Sequence, residues 1–269
     1  MNDLLIARMG GQFGAFTTAD AHECGHDTLS LHRLLTAGDI VRVGPRAYVD
    51  GRLHGGSTTH VVRVSGQQSR RRGDLAVHRS YGPGALCTIG QTRSVIPALA
   101  VIGCAMACGI QSGVVAADAA LAGAKTTPEE LTHWLEQLSR RPHLGWARQS
   151  VRLADARSES PGESRTRVIL TGLGYTDLEP QARVKDGRRV VARVDLMVRG
   201  VLVVEFDGAV KYEGAPGRDA LVAEKKREDL LRELGFGVVR LVWSDLGDPT
   251  RVQAKMLAEI TILRQRRLW

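Results

Sequence analysis

The sequence predicts an α/β (α+β) chain in three parts: a winged helix-turn-helix over residues 1–52, a connective α/β region over 53–155, and an αβββαβ core over 156–269. Three observations predict it. Short amphipathic segments at the start give way to an alternating run broken at Gly44-Pro45. A small, polar, turn-prone stretch, ARSESPGES, marks a linker near residues 156 to 162. Beyond it, strand and helix periodicities follow one another to the end of the chain. At 269 residues the chain exceeds the usual size of one domain, which favours at least two compact units.

Element by element, Leu4, Leu5 and Ile6 open a first helix, and Thr17 or Thr18 can cap a second that Gly25 ends. A third, from Asp27 to Ala37, carries Leu31, Leu34 and Leu35 at helical spacing and stops at Gly38. DIVRVGPRAYVD then alternates as a two-stranded wing does. In that arrangement the third helix presents Ser30, His32 and Arg33 to a major groove, and the wing brings Arg42 and Arg46 to phosphates. A small helical domain that binds protein has the same element order. In the middle, HVVRV and DLAVHRS read as strands separated by the basic turn QQSRRRG. An Ala-rich helix around Val114 to Leu121 follows, then TTPEELTHWLEQL, with Thr127 as cap, Pro128 in the first turn and Glu130 three residues after the cap. His78 and His133 stand alone there, as packing or surface residues do. In the last part SRTRVILTGLG is a helix, RRVVARVDLMV and GVLVVEFDG are adjacent strands, GRDALVAEKKREDLLRELG is a long helix, GFGVVRLVW a strand and DPTRVQAKMLAEITILRQRRLW a closing helix.

Composition sets the function classes. With 43% hydrophobic and 25% charged residues the chain is globular rather than disordered. Lys plus Arg (37) outnumber Asp plus Glu (29), giving +8, which favours an anionic partner, duplex DNA first; genomic bias and solubility give the same excess. Aromatic residues, at 4%, are too few for the stacking surfaces of single-stranded RNA readers. Cys24, Cys87, Cys104 and Cys108 form neither a paired framework nor a CxxC zinc motif, which fits a reducing cytoplasm. No signal peptide is expected at MNDLLIARMGGQFG, and the most apolar stretch, Val95 to Ala122, is too broken by polar residues to span a bilayer, so no membrane partner is expected.

The chemistry concentrates in the acids of the last part. Asp195 in RVDLMV and Glu205 and Asp207 in VLVVEFDG lie on consecutive strands joined by a turn at Arg199-Gly200. Paired as a hairpin, the strands bring Asp195 opposite or nearly opposite Glu205, and Glu205 and Asp207, two apart, share a face. Three carboxylates so placed repel one another without a cation, and a hard divalent ion such as Mg²⁺, or Mn²⁺ in its place, relieves them. Glu205 interrupts an apolar run, where an unpaired carboxylate is costly. Glu163, at the start of the helix, either caps that helix or leans toward the ion. Lys211 and Arg227 are placed to meet a phosphate; Lys225 and Lys226 read as a solvated helix face.

SPGESRTRVIL, RVDLMV, VVEFDGAVKY and EKKREDLLRELGFGVVRLVW together resemble the DUF559-type endonuclease domain, related to the very-short-patch-repair endonucleases within the PD-(D/E)XK superfamily. GDIVRVGPRAYV in the N-terminal part resembles the antitoxin-type winged helix of the AbiEi family. The likeness covers residues 1 to 50 and 158 to 246, with TRSVIPALA and AADAAL as looser points between. It implies a restriction-endonuclease-like core in which Asp195 and Glu205 bind Mg²⁺ and Glu163 comes from the first helix. Asp207 stands where the superfamily signature places lysine, which leaves the activation of water to Lys211 or to a second metal-bound water. The expected activity is Mg²⁺-dependent hydrolysis of DNA phosphodiester bonds, by a monomer or a homodimer. The alternative is a DNA-binding regulator or antitoxin-like protein with an inactive nuclease fold.

Overall fold

The computed structural model describes residues 2, 4–5, 15–37, 39–44, 47–50, 59–62, 69–72, 75–89, 92–208 and 218–269. The chain is mixed α and β and divides into two compact units, Met1–Ile96 and Pro97–Trp269. The region 53–155 is therefore not a unit of its own: its strands belong to the first and its helices to the second.

In the first unit, strand β1 (Ala15–Thr17) leads into helix α1 (Thr18–Glu23), helix α2 (Thr28–Ala37) and the antiparallel pair β2 (Ile40–Gly44) and β3 (Ala47–Asp50). β1 adds to β3, giving the order β1-β3-β2. Asp27 starts α2: its Oδ1 accepts the Ser30 N–H at 2.7 Å, satisfying a donor that the helix itself cannot. Leu31 and Leu34, one turn apart, turn inward onto Leu5, Ala21, Cys24 and Ile40. The expected order of helix, helix and hairpin is thus present; of the first helix only Leu4 and Leu5 fall among the described residues, where both are helical.

Farther along, β4 (Thr59–Val62) runs parallel to β6 (Leu75–His78), and β5 (Arg70–Arg72) runs antiparallel to β6. Arg70–Arg72, expected in a turn, are therefore a strand. Their place at the edge of the β4-β6-β5 sheet explains it, since edge strands tolerate consecutive charges that an inner strand would bury. A hairpin of β7 (Leu86–Ile89) and β8 (Thr92–Val95), which the sequence did not signal, closes the unit.

The second unit opens with four helices, α3 (Pro97–Cys108), α4 (Ile110–Ala122), α5 (Pro128–Gln137) and α6 (Leu144–Leu153). Thr127 caps α5 by accepting the Glu130 N–H at 3.2 Å, as its motif predicts. The expected linker at residues 156 to 162 lies inside this unit and is tied into it. Asp118 on α4 accepts the Asp155 N–H through Oδ1 at 2.7 Å and Arg167 through Oδ2 at 2.6 Å, and Arg167 also donates to the Leu153 carbonyl. Asp118 is 1% exposed and Arg167 7%. Small polar residues here make a bonded corner rather than a boundary.

After that corner come α7 (Pro161–Gly172), β9 (Leu178–Asp186), β10 (Arg189–Val198), β11 (Leu202–Asp207), α8 (Arg218–Glu233), β12 (Gly237–Val242), α9 (Trp243–Leu246) and α10 (Pro249–Gln265). This is the αβββαβ order followed by the closing helix. Gly174 ends α7 at φ +86°, a conformation open to glycine at no steric cost, with its N–H on the Thr171 carbonyl and the Tyr175 N–H on that of Leu170. The sheet order is β12-β11-β10-β9, antiparallel except for β11 and β12, which are parallel and joined through α8. One face packs Leu202, Val204 and Leu241 on Leu170 of α7 and Val252, Met256 and Ile260 of α10. The other packs Val203, Val194 and Met197 on Leu231 of α8. Each such fully buried side chain contributes about 1.5–3 kcal/mol. Among the described residues no helix is long and apolar enough to cross a membrane.

Candidate active site

Alternation along β11 decides which groups meet. Leu202 and Val204 face α7 and α10, and Val203 faces α8, so Glu205 points to the α8 side and Phe206 to the α7 side. The antiparallel register pairs Leu196 with Val204, so that one step on Asp195 comes level with Glu205. Asp195 Oδ2 accepts the Phe206 N–H at 2.8 Å, which fixes its carboxylate against the end of β11. Glu205, 9% exposed, is gripped by Arg227 of α8, with Nη1 on Oε1 and Nη2 on Oε2, each at 2.8 Å. Its parallel-strand neighbour Arg240 lies 4.0 Å from Oε2 and is held at 3.1 Å by Glu228 of α8.

Glu163 meets both of its expected roles. At the third position of α7 its N–H donates to the cap Ser160 at 3.2 Å, and its Oε2 accepts the Glu159 N–H at 2.9 Å. The same Oε2 accepts Gln181 Nε2 from β9 at 2.8 Å. Its charge is also felt at Asp195. Burial pushes the Asp195 carboxyl above the usual aspartate range; the charges of Glu163 and Glu205 push the same way, against the Phe206 N–H and Arg227. Three acids from α7, β10 and β11 thus share one electrostatic neighbourhood.

Asp207 is the exception. It lies at the exposed end of β11, and among the described residues no three His, Cys, Asp or Glu side chains gather closely enough to hold a metal ion between them. The expected set of Asp195, Glu205 and Asp207 is therefore not assembled, because β11 ends at Asp207 while Glu205 is drawn toward Arg227. Lys211 lies outside the described residues. Lys225 and Lys226 are exposed, as a solvated helix face requires.

Phe206 and Gln181 went unread in the sequence. Phe206 sits edge-on to Trp243, with ring centres 4.8 Å apart, and its ring lies against the first turn of α7. A Cβ on Gly162 would stand 2.0 Å from Phe206 Cε1, so only glycine allows this approach. Gly162→Ala is expected to cost about 1–3 kcal/mol, the usual scale of overpacking, read as a lower urea midpoint at unchanged slope.

In the first unit, His32 and Arg33 are exposed on α2, as a groove-reading face requires. Ser30 is not presented in that way: its N–H and hydroxyl both bond Asp27, the hydroxyl donating to the Asp27 carbonyl at 2.9 Å. Arg42 lies in β2 opposite Tyr48, and Arg46 lies outside the described residues.

No protein-family model and no curated protein matches this chain. The functional reading rests on the residues themselves.

Proposed function

We infer that the protein is a metal-dependent DNA endonuclease that hydrolyses phosphodiester bonds, docked on duplex by a winged helix-turn-helix in its first unit. What carries the reading is the meeting of Asp195 and Glu205 on adjacent strands with Glu163 alongside, in surroundings that burden Asp195 with burial and like charge. The donor chemistry suits Mg²⁺ or Mn²⁺, since Mg²⁺ takes one or two carboxylates and fills its other positions with water and substrate oxygens. Asp195 and Glu205 would hold the ion. Bound there, it supplies a more acidic water and a polarised phosphate oxygen. Arg227, displaced from Glu205, would turn its guanidinium to a phosphate, for which its planar fork is suited. The +8 net charge and the exposed His32 and Arg33 favour duplex DNA as the partner.

A second reading, a DNA-binding regulator with a silent nuclease fold, is favoured by one observation: Arg227 occupies both oxygens of Glu205. Supercoiled plasmid with Mg²⁺ or Mn²⁺ decides between them. Nicked or linear product that chelator prevents is expected; a mobility shift with no cleavage under either metal overturns the endonuclease and leaves the regulator.

A further inference from the structure

Gln181 stands in the middle of β9 with φ +56°, the left-handed region that residues bearing a Cβ avoid and that clusters at functional sites. Its neighbours pair in register, Ala182 with Val194 and Pro180 with Leu196, so Gln181 and Asp195 are the skipped step between them. The facing strand changes there too. Val194 packs toward α8 and Leu196 toward α7 and α10, although residues two apart in a regular strand share a face. Local breaks of this kind re-aim side chains.

The strain has a chemical correlate. Glycine would adopt this φ freely, so what the chain keeps by placing glutamine here is the amide. That amide donates from Nε2 to Glu163 Oε2 at 2.8 Å. Gln181 thereby spans from the strand beside Asp195 to the helix that carries Glu163. It also lines an open cleft of about 580 Å³ together with Ser160, Ser164 and Arg193, so the bond is made within reach of a ligand. Packing alone does not account for it, because a half-buried position in an antiparallel strand takes any β-former without strain.

Resting on the endonuclease reading, we propose that Gln181 is a positioning residue: its strained backbone holds an amide that turns the Glu163 carboxylate toward Asp195, adding a third acid to the site of the divalent ion. Outer groups that orient ligands in this way typically carry tenfold to a hundredfold in metal affinity.

The test uses the full-length chain and Mn²⁺ alone, titrated calorimetrically into metal-free protein, beside thermal unfolding and plasmid cleavage. For Gln181→Gly the expectation is a higher melting temperature, Mn²⁺ affinity lower by roughly tenfold, and a reduced kcat with the KM for DNA unchanged. Gln181→Ala keeps the strain and loses the amide, so it should show the same metal loss without the gain in melting temperature. Wild-type Mn²⁺ affinity in both variants overturns the positioning role even where the wild type cleaves. A wild type that neither binds Mn²⁺ nor cleaves overturns the endonuclease, and this role with it.

Discussion

Asp195→Asn is expected to abolish Mg²⁺-dependent cleavage while making the protein harder to unfold at neutral pH. Loss of activity follows from removing one of two carboxylates that would hold the ion, and should reach at least about 10²–10³-fold, the scale of a single electrostatic group aimed at developing charge. The gain in stability follows from the raised pKa. An acid whose folded pKa lies above its unfolded value is charged at a cost to the fold: the cost is absent below the ordinary aspartate range, appears as pH rises through the folded pKa, and is complete at neutrality. Asparagine carries no charge there, yet its Oδ1 can still accept the Phe206 N–H. Urea unfolding at neutral pH should therefore favour the variant, and the two proteins should converge in acid. Glu205→Gln should lose cleavage as well, with DNA binding retained in both. Cleavage close to wild type in the two variants would remove these acids from the chemistry.

Arg167→Ala should be the most destabilising single change in the second unit, by about 3–5 kcal/mol, because it strands the Asp118 carboxylate away from solvent. It also frees the Leu153 carbonyl, so both the helix that precedes the corner and the helix that follows lose an anchor. Replacing the pair together, as Arg167→Met with Asp118→Leu, removes the stranded charge but leaves the Asp155 N–H unbonded, and should be the milder lesion. Denaturation of the three proteins checks the order; a loss below about 1 kcal/mol for Arg167→Ala would mean that water reaches Asp118.

Much of the second unit was legible because its signals are local. Thr127 and Ser160 announce their helices three residues ahead of Glu130 and Glu163, and the carboxylate of Glu205 stands out within an apolar run. Asp195 followed from hairpin geometry. What stayed hidden is long-range or conformational. Asp118 and Arg167 are 49 positions apart, so ARSESPGES read as a linker when it is a bonded corner. Gln181 is an ordinary polar residue in an ordinary alternating strand until its backbone turns left-handed. Arg227 sat within a charged run whose neighbours Lys225 and Lys226 do face solvent, and only the fold separates the one that turns inward. Asp207 shares parity with Glu205 but lies past the point where the sheet encloses it.

Arg227 also bears on the order of assembly in time. A cluster of buried acids ordinarily obliges a polypeptide to capture its ion while it folds, as zinc fingers do. Here the guanidinium of α8 serves as a resident counter-ion for Glu205, so the sheet can close around its acids with no solute present. Folding and loading become separate events, and the ion can arrive late, together with the phosphate that draws Arg227 away.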